Sequence, residues 1–266
     1  LVRENPGKIS SDFLEGTNFP SKSSDIEARG SKVSIAEGAE VERFVTFDSR
    51  KGPIIIAEGV EVQSFSHLTG PCFVGKGTKV RSAKLREGTS IAANCKVAGE
   101  IDSSIVFDRT NKSHEGYLGH SIVGSWVNLG AMTTNSDLKN TYGKISVKMG
   151  RKPIDTGEIK VGVFLGDLSK TAIGTLLSSG RKVGIGSQVF GMVSEDVPSF
   201  TMYGKSLGAK SSEIFLESVL STQKRMMERR GLRMSDVMVS LIRSVYKMTK
   251  GERAFQRVAK TRFKLP

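Results

Sequence analysis

Three histidines, His67, His114 and His120, are the side chains of this 266-residue chain best able to move a proton near neutral pH. His114 has the most polar setting, closing the run Phe107-Asp108-Arg109-Thr110-Asn111-Lys112-Ser113-His114, with Tyr117 three residues on. An imidazole in such a loop can act as a general base at its ordinary pKa. His120 follows the Tyr117-Leu118-Gly119 turn, and His67 sits beside a core position. Cys72 and Cys95 cannot form a metal cluster by themselves and are expected as free thiols of a reducing compartment. A second polar stretch, residues 135–160, is rich in lysine: Lys139, Lys144, Lys148, Lys152 and Lys160.

What must position these residues is a repeat of six. Ile56, Val62, Leu68, Val74 and Val80 follow one another at that spacing. Ile91 and Val97 resume it after a slip, Val123 and Leu129 return to it, and Leu165, Thr171, Leu177, Val183 and Val189 complete it, with Thr171 an imperfect member. Neither a helix period of about 3.6 nor strand alternation produces this spacing. A coiled β-solenoid does: each hexad gives a short strand with one aliphatic side chain inward and then a small or polar corner. Twenty-nine glycines, roughly 11% against a usual share of about 7%, suit a chain with many sharp corners. The spacing fails at residues 102–116 and 135–160, which are expected as loops expelled from the coil, where chemistry tends to be placed.

Past Pro198 the pattern changes. Ser211-Ser212-Glu213 reads as the cap of an amphipathic helix with Ile214, Phe215, Leu216, Val219 and Leu220 on one side. Gly231 interrupts, and Ser235-Asp236 opens a second helix bearing Met238, Leu241, Ile242, Val245 and Met248. Residues 205–266 hold 15 Lys and Arg against 5 Asp and Glu, most of the chain's net charge of +13. With few aromatics for base stacking, this tail is expected to pack on the solenoid or between subunits rather than to bind nucleic acid. The expected organisation is a linker over 1–30, a solenoid over 31–204 and a basic helical tail over 205–266. No run of 18 apolar residues occurs, so no membrane span is expected.

The segment Ser113-His114-Glu115-Gly116-Tyr117-Leu118-Gly119-His120-Ser121-Ile122-Val123-Gly124-Ser125-Trp126-Val127-Asn128-Leu129-Gly130-Ala131 resembles the acetyltransferase site of the bifunctional uridylyltransferase/glucosamine-1-phosphate acetyltransferases. It is still more similar to the archaeal and bacterial sugar-1-phosphate nucleotidylyltransferases related to them. The opening Leu1-Val2-Arg3-Glu4-Asn5-Pro6 matches the segment that joins their two domains. This resemblance implies a mainly β fold, a left-handed parallel β-helix with a C-terminal helical extension, assembled as a homotrimer. It implies a cytoplasmic enzyme transferring an acetyl group from acetyl-CoA to an aminosugar-1-phosphate, with no metal at the transfer site. His114 takes the place of the family's catalytic base and Tyr117 that of its phosphate-binding tyrosine. Asn128, Asp137 and Lys139 fall at substrate-binding positions, and Ala131, Asp167, Ile185 and Lys170 at positions facing CoA. Arg181 and Lys182 are further cations suited to CoA phosphates. Asp137 stands where the family commonly has Asn, and Met132 where it has Gly.

Two other readings follow from the same residues. A solenoid without its Gly-x-Gly-Thr-Arg-Leu nucleotidylyltransferase signature, which these 266 residues lack, can serve as a non-catalytic trimerisation or regulatory module. Three histidines also suggest the γ-type carbonic anhydrase, a zinc-binding hexapeptide solenoid. There, however, a spacing of four intervening residues is expected, and His114 and His120 are separated by five.

Overall fold

Aliphatic residues six apart wind this chain into a three-sided coil. The computed structural model describes residues 25–150 and 152–265; most of the expected linker over 1–30 lies outside them. The coil starts within that stretch, because Ile26–Arg29 already pairs in parallel with Val45–Asp48.

On the first face, Val33–Ile35, Ile54–Ile56, Cys72–Val74, Thr89–Ile91, Ile105–Val106, Ile122–Val123, Phe164–Leu165 and Lys182–Val183 stack as one parallel sheet. Their register places Ile35, Ile56, Val74, Ile91, Val106, Val123, Leu165 and Val183 in a single inward column. None of these side chains is more than 7% exposed. The second face stacks Val41, Val62, Val80 and Val97 in the same way, and the third stacks Phe47, Leu68, Leu85 and Ile101. Each aliphatic side chain so buried stabilises the coil by about 1.5–3 kcal/mol. The period of six is therefore one face per hexad.

Corners are held by hydroxyls. Thr78 Oγ1 donates to the Ala92 carbonyl at 2.8 Å and accepts from the Cys95 amide at 3.0 Å. Thr110 repeats this with Gly124 and Val127, and Ser187 with Pro198 and Thr201. Each hydroxyl thus satisfies a donor and an acceptor that the turn removes from the ladder.

Residues 102–116 differ from expectation. They are not expelled: Ile105–Val106 and Asn111–Lys112 are ordinary strands of the coil. Lys112 pairs with Val97 and fills the inward position, 3% exposed. The rung is short, and a lysine stands where an aliphatic residue would make the period visible. The excursion after Asn135 is real. Its core is a hairpin in which Ser146–Met149 runs antiparallel to Lys152–Asp155, and the coil resumes at Phe164.

At the C-terminal end, Ser212–Glu213 is a strand antiparallel to Thr201–Met202, not a helix cap. Helix α1, Leu216–Glu228, begins after Phe215 with no side-chain cap. Helix α2, Asp236–Met248, has the expected cap, Ser235 Oγ accepting from the Met238 amide at 3.2 Å. Helix α3 spans Lys250–Phe255. Val219, Leu220, Met227 and Ile242 bury their side chains against Trp126, Leu168 and Phe200. Those three, each in the left-handed backbone region, φ 59°, 63° and 57°, occupy one corner of the coil, with Gly186 on the rung between Leu168 and Phe200. Large apolar side chains turned outward at a strained corner need a cover, and the helices provide it. The tail thus packs on the solenoid. Arg253 is buried beneath it, paired with Glu213 at 2.8 Å. Among the described residues no helix is long and apolar enough to cross a membrane. Cys72 and Cys95 are buried free thiols.

Candidate functional site

Tyr117 lies on the outer side of the third face, paired with Glu100 on the rung before it. Its amide donates to Thr134 Oγ1 at 2.9 Å. The ring folds flat over Gly119, where a Cβ would stand 2.2 Å from the phenol oxygen; only glycine leaves that space. So directed, the Tyr117 hydroxyl donates to Asp137 Oδ2 at 2.8 Å, and His120 Nδ1 meets the same oxygen at 2.7 Å. The Asp137 residue is 8% exposed.

The charges in this trio are set by contact. The His120 bond, then the Tyr117 bond and the field of His120 and Lys160, hold the Asp137 carboxyl below the usual carboxylate range despite burial. Burial first, and the Asp137 carboxylate next, push the Tyr117 phenol far up, so it stays a neutral donor. An ionised Asp137 fixes the proton of His120 on Nδ1 and leaves Nε2 as the basic nitrogen. Asn135, buried and turned inward, braces the strand below: Oδ1 accepts from the Gly119 amide at 2.8 Å and Nδ2 donates to its carbonyl at 3.0 Å. Beside Tyr117, Arg86 pairs with Glu100, and Asp102 adds a second acid.

His114 stands at the preceding corner, between the second and third faces, and is exposed. Its backbone is fixed: Lys112 Nζ donates to the His114 carbonyl at 3.2 Å and to the Gly116 carbonyl at 2.8 Å. The Glu115 carbonyl accepts from the Met132 amide at 2.9 Å. That bond stacks Ala131 and Met132 directly on the His114 corner, one rung along. Asn128, on the second face, accepts from Asn111 Nδ2 at 2.8 Å. Lys139, at the foot of the hairpin, donates to the Lys144 carbonyl.

His114, Tyr117, Asp137 and Ala131 therefore share the third face and its edges. Asp167 and Ile185 do not join them. They lie at the opposite corner, between the first and second faces, where Asp167 Oδ1 accepts from the Ser125 amide at 2.7 Å and Ile185 packs under the helices. Lys170, on the second face, donates to the Leu168 carbonyl at 2.8 Å, and burial draws its ammonium down to about 8. A groove of about 900 Å³ runs over the first face from Ile122 past Phe164 to Ile185, walled by the hairpin and by Phe255. Lys182 lines it and pairs with Asp196. His67 is on the outer third face, in register with Thr46 and Lys84. Among the described residues no three His, Cys, Asp or Glu are gathered to hold a metal ion.

Sequence reasoning ranked His120 below His114 as a base and did not connect Asn135, Arg86, Glu100 or Asp102 to the site. The signal was a step of one rung: Glu100, Tyr117 and Thr134 recur 17 residues apart, as their pairing requires.

No protein-family model matches the chain. Over 152 residues, 55% of its length, it is 29% identical to the bifunctional sugar-1-phosphate nucleotidylyltransferase/acetyltransferase of Sulfurisphaera tokodaii, covering 38% of that protein. Over the same length it is 30% identical to the bifunctional protein GlmU of Nitratidesulfovibrio vulgaris strain DP4, covering 30% of it. The chain spans well under half the length of these curated relatives. Among solved structures, the UDP-N-acetylglucosamine acyltransferase of Francisella novicida matches 84% of this chain and 78% of its own, with a TM-score of 0.45 and 15% identity. The coil is a hexapeptide-repeat domain similar in sequence to the two bifunctional enzymes.

Proposed function

We propose that this chain is a cytoplasmic, acetyl-CoA-dependent N-acetyltransferase acting on an aminosugar-1-phosphate, with His114 as its base and its site completed across a homotrimer boundary. The observation that carries the reading is the edge of the third face. There a corner with a fixed backbone leaves His114 exposed, with Ala131 and Met132 on the corner one rung along and Tyr117 three residues on, bonded to Asp137. The name of the Sulfurisphaera tokodaii relative supplies acetyl transfer and sugar-1-phosphate chemistry.

Only a neutral amine attacks a thioester. His114 takes a proton from the acceptor nitrogen as the N–C bond forms, a contribution of about 10²–10⁴ in rate. The Ala131 amide donates to the oxyanion of the tetrahedral intermediate; such a donor stabilises it by about 2.7–4 kcal/mol. The C–S bond then breaks, and the CoA thiolate leaves with the proton from the imidazolium. Lys139 holds the sugar phosphate, Tyr117 turns its hydroxyl from Asp137 to that phosphate when the acceptor binds, and Asn128 lines the sugar. Asp167 and Ile185 sit on another edge of the prism, so they meet the same acyl donor only from a neighbouring copy, whereas Lys170 stands beside Asn128 on the second face. That separation supports the trimer.

A second reading takes His120 as base, because Asp137 orients its ring in the manner of a catalytic dyad. Release of free CoA thiol from acetyl-CoA, with glucosamine-1-phosphate or galactosamine-1-phosphate as acceptor, separates the two. H114A is expected to lose about 10²–10⁴ of kcat, and H120A far less. The reverse order makes His120 the base. No turnover with any aminosugar phosphate sinks the enzyme reading and leaves a trimerisation module.

A further inference from the structure

We infer that Lys112 is a positioning residue: from inside the prism, its ammonium holds the corner that presents His114. The inference rests on the reading above in taking His114 as the base. Its inward register is that of Val62, Val80 and Val97, residues that fill the same column with hydrocarbon alone. An ammonium there is expensive, since a buried cation must replace its whole water shell. The structure supplies that replacement in full. The three N–H groups have three carbonyl acceptors, Ala98 at 2.7 Å, Gly116 at 2.8 Å and His114 at 3.2 Å. Two of those acceptors belong to the His114 corner and the third to the rung beneath.

Space for the ammonium is built by a neighbour. Gly99, at φ +70°, has no side chain where a Cβ would stand 2.9 Å from Lys112 Nζ and 2.7 Å from the Gly116 oxygen. A glycine in the left-handed region here leaves room both for the ammonium and for the Gly116 carbonyl that it meets. Burial draws the ammonium down to about 8, opposed by Glu115 on the same corner. Of the other charged groups on the packed segments, Lys96 and Glu100 face outward from the strand below, and His114 shares the corner; the Leu129 rung adds none. Above that pH the neutral amine keeps two donors for three carbonyls, and the corner loosens.

The coil itself has no need of this lysine, and the test turns on that. Full-length K112M is compared with the unaltered chain by thermal unfolding, by hydrogen–deuterium exchange and by the CoA-release assay. K112M is expected to melt at the same temperature or higher, because a thioether in a hydrocarbon column removes the buried charge. Backbone exchange in residues 113–119 is expected to quicken by about tenfold while residues 60–97 stay as they were. kcat falls about tenfold with KM for acetyl-CoA within about twofold, and the alkaline limb near pH 8 disappears. K112V, carrying the side chain of the rungs below, gives the same pattern if K112M does not fold. Unchanged exchange at 113–119, or quickened exchange with full kcat and the limb intact, overturns the inference. So does failure of both variants to fold, which makes Lys112 a structural residue. Quickened exchange in K112M with no turnover in the unaltered chain upholds the clamp and instead sinks the acetyltransferase reading.

Discussion

The lower and upper halves of the prism are built on the same geometry but filled with different matter. Between Phe47 and Ile101 the inward columns of the three faces are hydrocarbon, many of them fully buried, and buried hydroxyls such as Thr78 stand at the corners. From Lys112 onward the column admits a lysine, an asparagine at 135 and a threonine at 171, all buried. Lys112 and Asn135 stand in the rungs that carry His114, Tyr117 and Asp137, Thr171 stands one rung further on, and all three bond to the backbone of the site's rungs. Hydrocarbon stabilises a rung without caring where the corner backbone sits within a few tenths of an ångström. A hydrogen-bonded side chain fixes that position and sacrifices stability to do so.

The comparison can be broken most decisively in the lower half. Leu68→Ala, at a fully buried position, is expected to cost about 2–5 kcal/mol in denaturant unfolding and to leave the site's chemistry alone. A comparable loss of turnover at constant fold would abolish the distinction between the halves. Next in size is a pH effect confined to the upper half. The Lys112 ammonium is depressed from 10.5 to about 8. Between those values the unfolded chain binds a proton that the folded chain does not, so stability rises with pH, by about 3 kcal/mol in all. Below pH 8 both states are protonated and the full penalty stands. Denaturant midpoints at pH 7.5 and 10 should show the rise in the unaltered chain and a smaller one in K112M, where Lys170, likewise drawn down to about 8, still contributes. Smaller again is Asn135→Ala, which strips the Gly119 amide of a bond; about 1–3 kcal/mol is expected, with a weaker Tyr117–Asp137 contact seen as a downward shift of the phenol pKa. At the bottom stands the exposed pair Lys51–Glu87. Lys51→Ala should leave the unfolding midpoint where it was, since such pairs contribute little in water.

Much of the coil was legible because hydrophobic burial repeats: Ile56, Val62, Leu68, Val74 and Val80 each mark one face. Legibility failed where the inward residue was polar. Lys112 made residues 102–116 look like a loop, although its strand is regular. It failed again at Ser211–Glu213, whose residue types suit a helix cap but whose partner, Thr201–Met202, is a strand that only the folded coil presents. Within the site, Tyr117 and Asp137 were marked by the family resemblance. The bonds that join Tyr117 to Asp137, Asp137 to His120 and Asn135 to Gly119 cross 16 to 20 positions of sequence and depend on rung length, which varies.

The reversed strand Ser212–Glu213 has a meaning for the molecule's life in solution. A parallel stack has no natural last member, because each finished layer offers the next a row of open amides and carbonyls. Here the final layer meets a segment running backwards, and that segment is in turn bonded through Glu213 and Ser211 to Ala259. Stripped of it, the prism would present a sticky end, and chains would be expected to join tip to tip into fibres instead of remaining discrete particles.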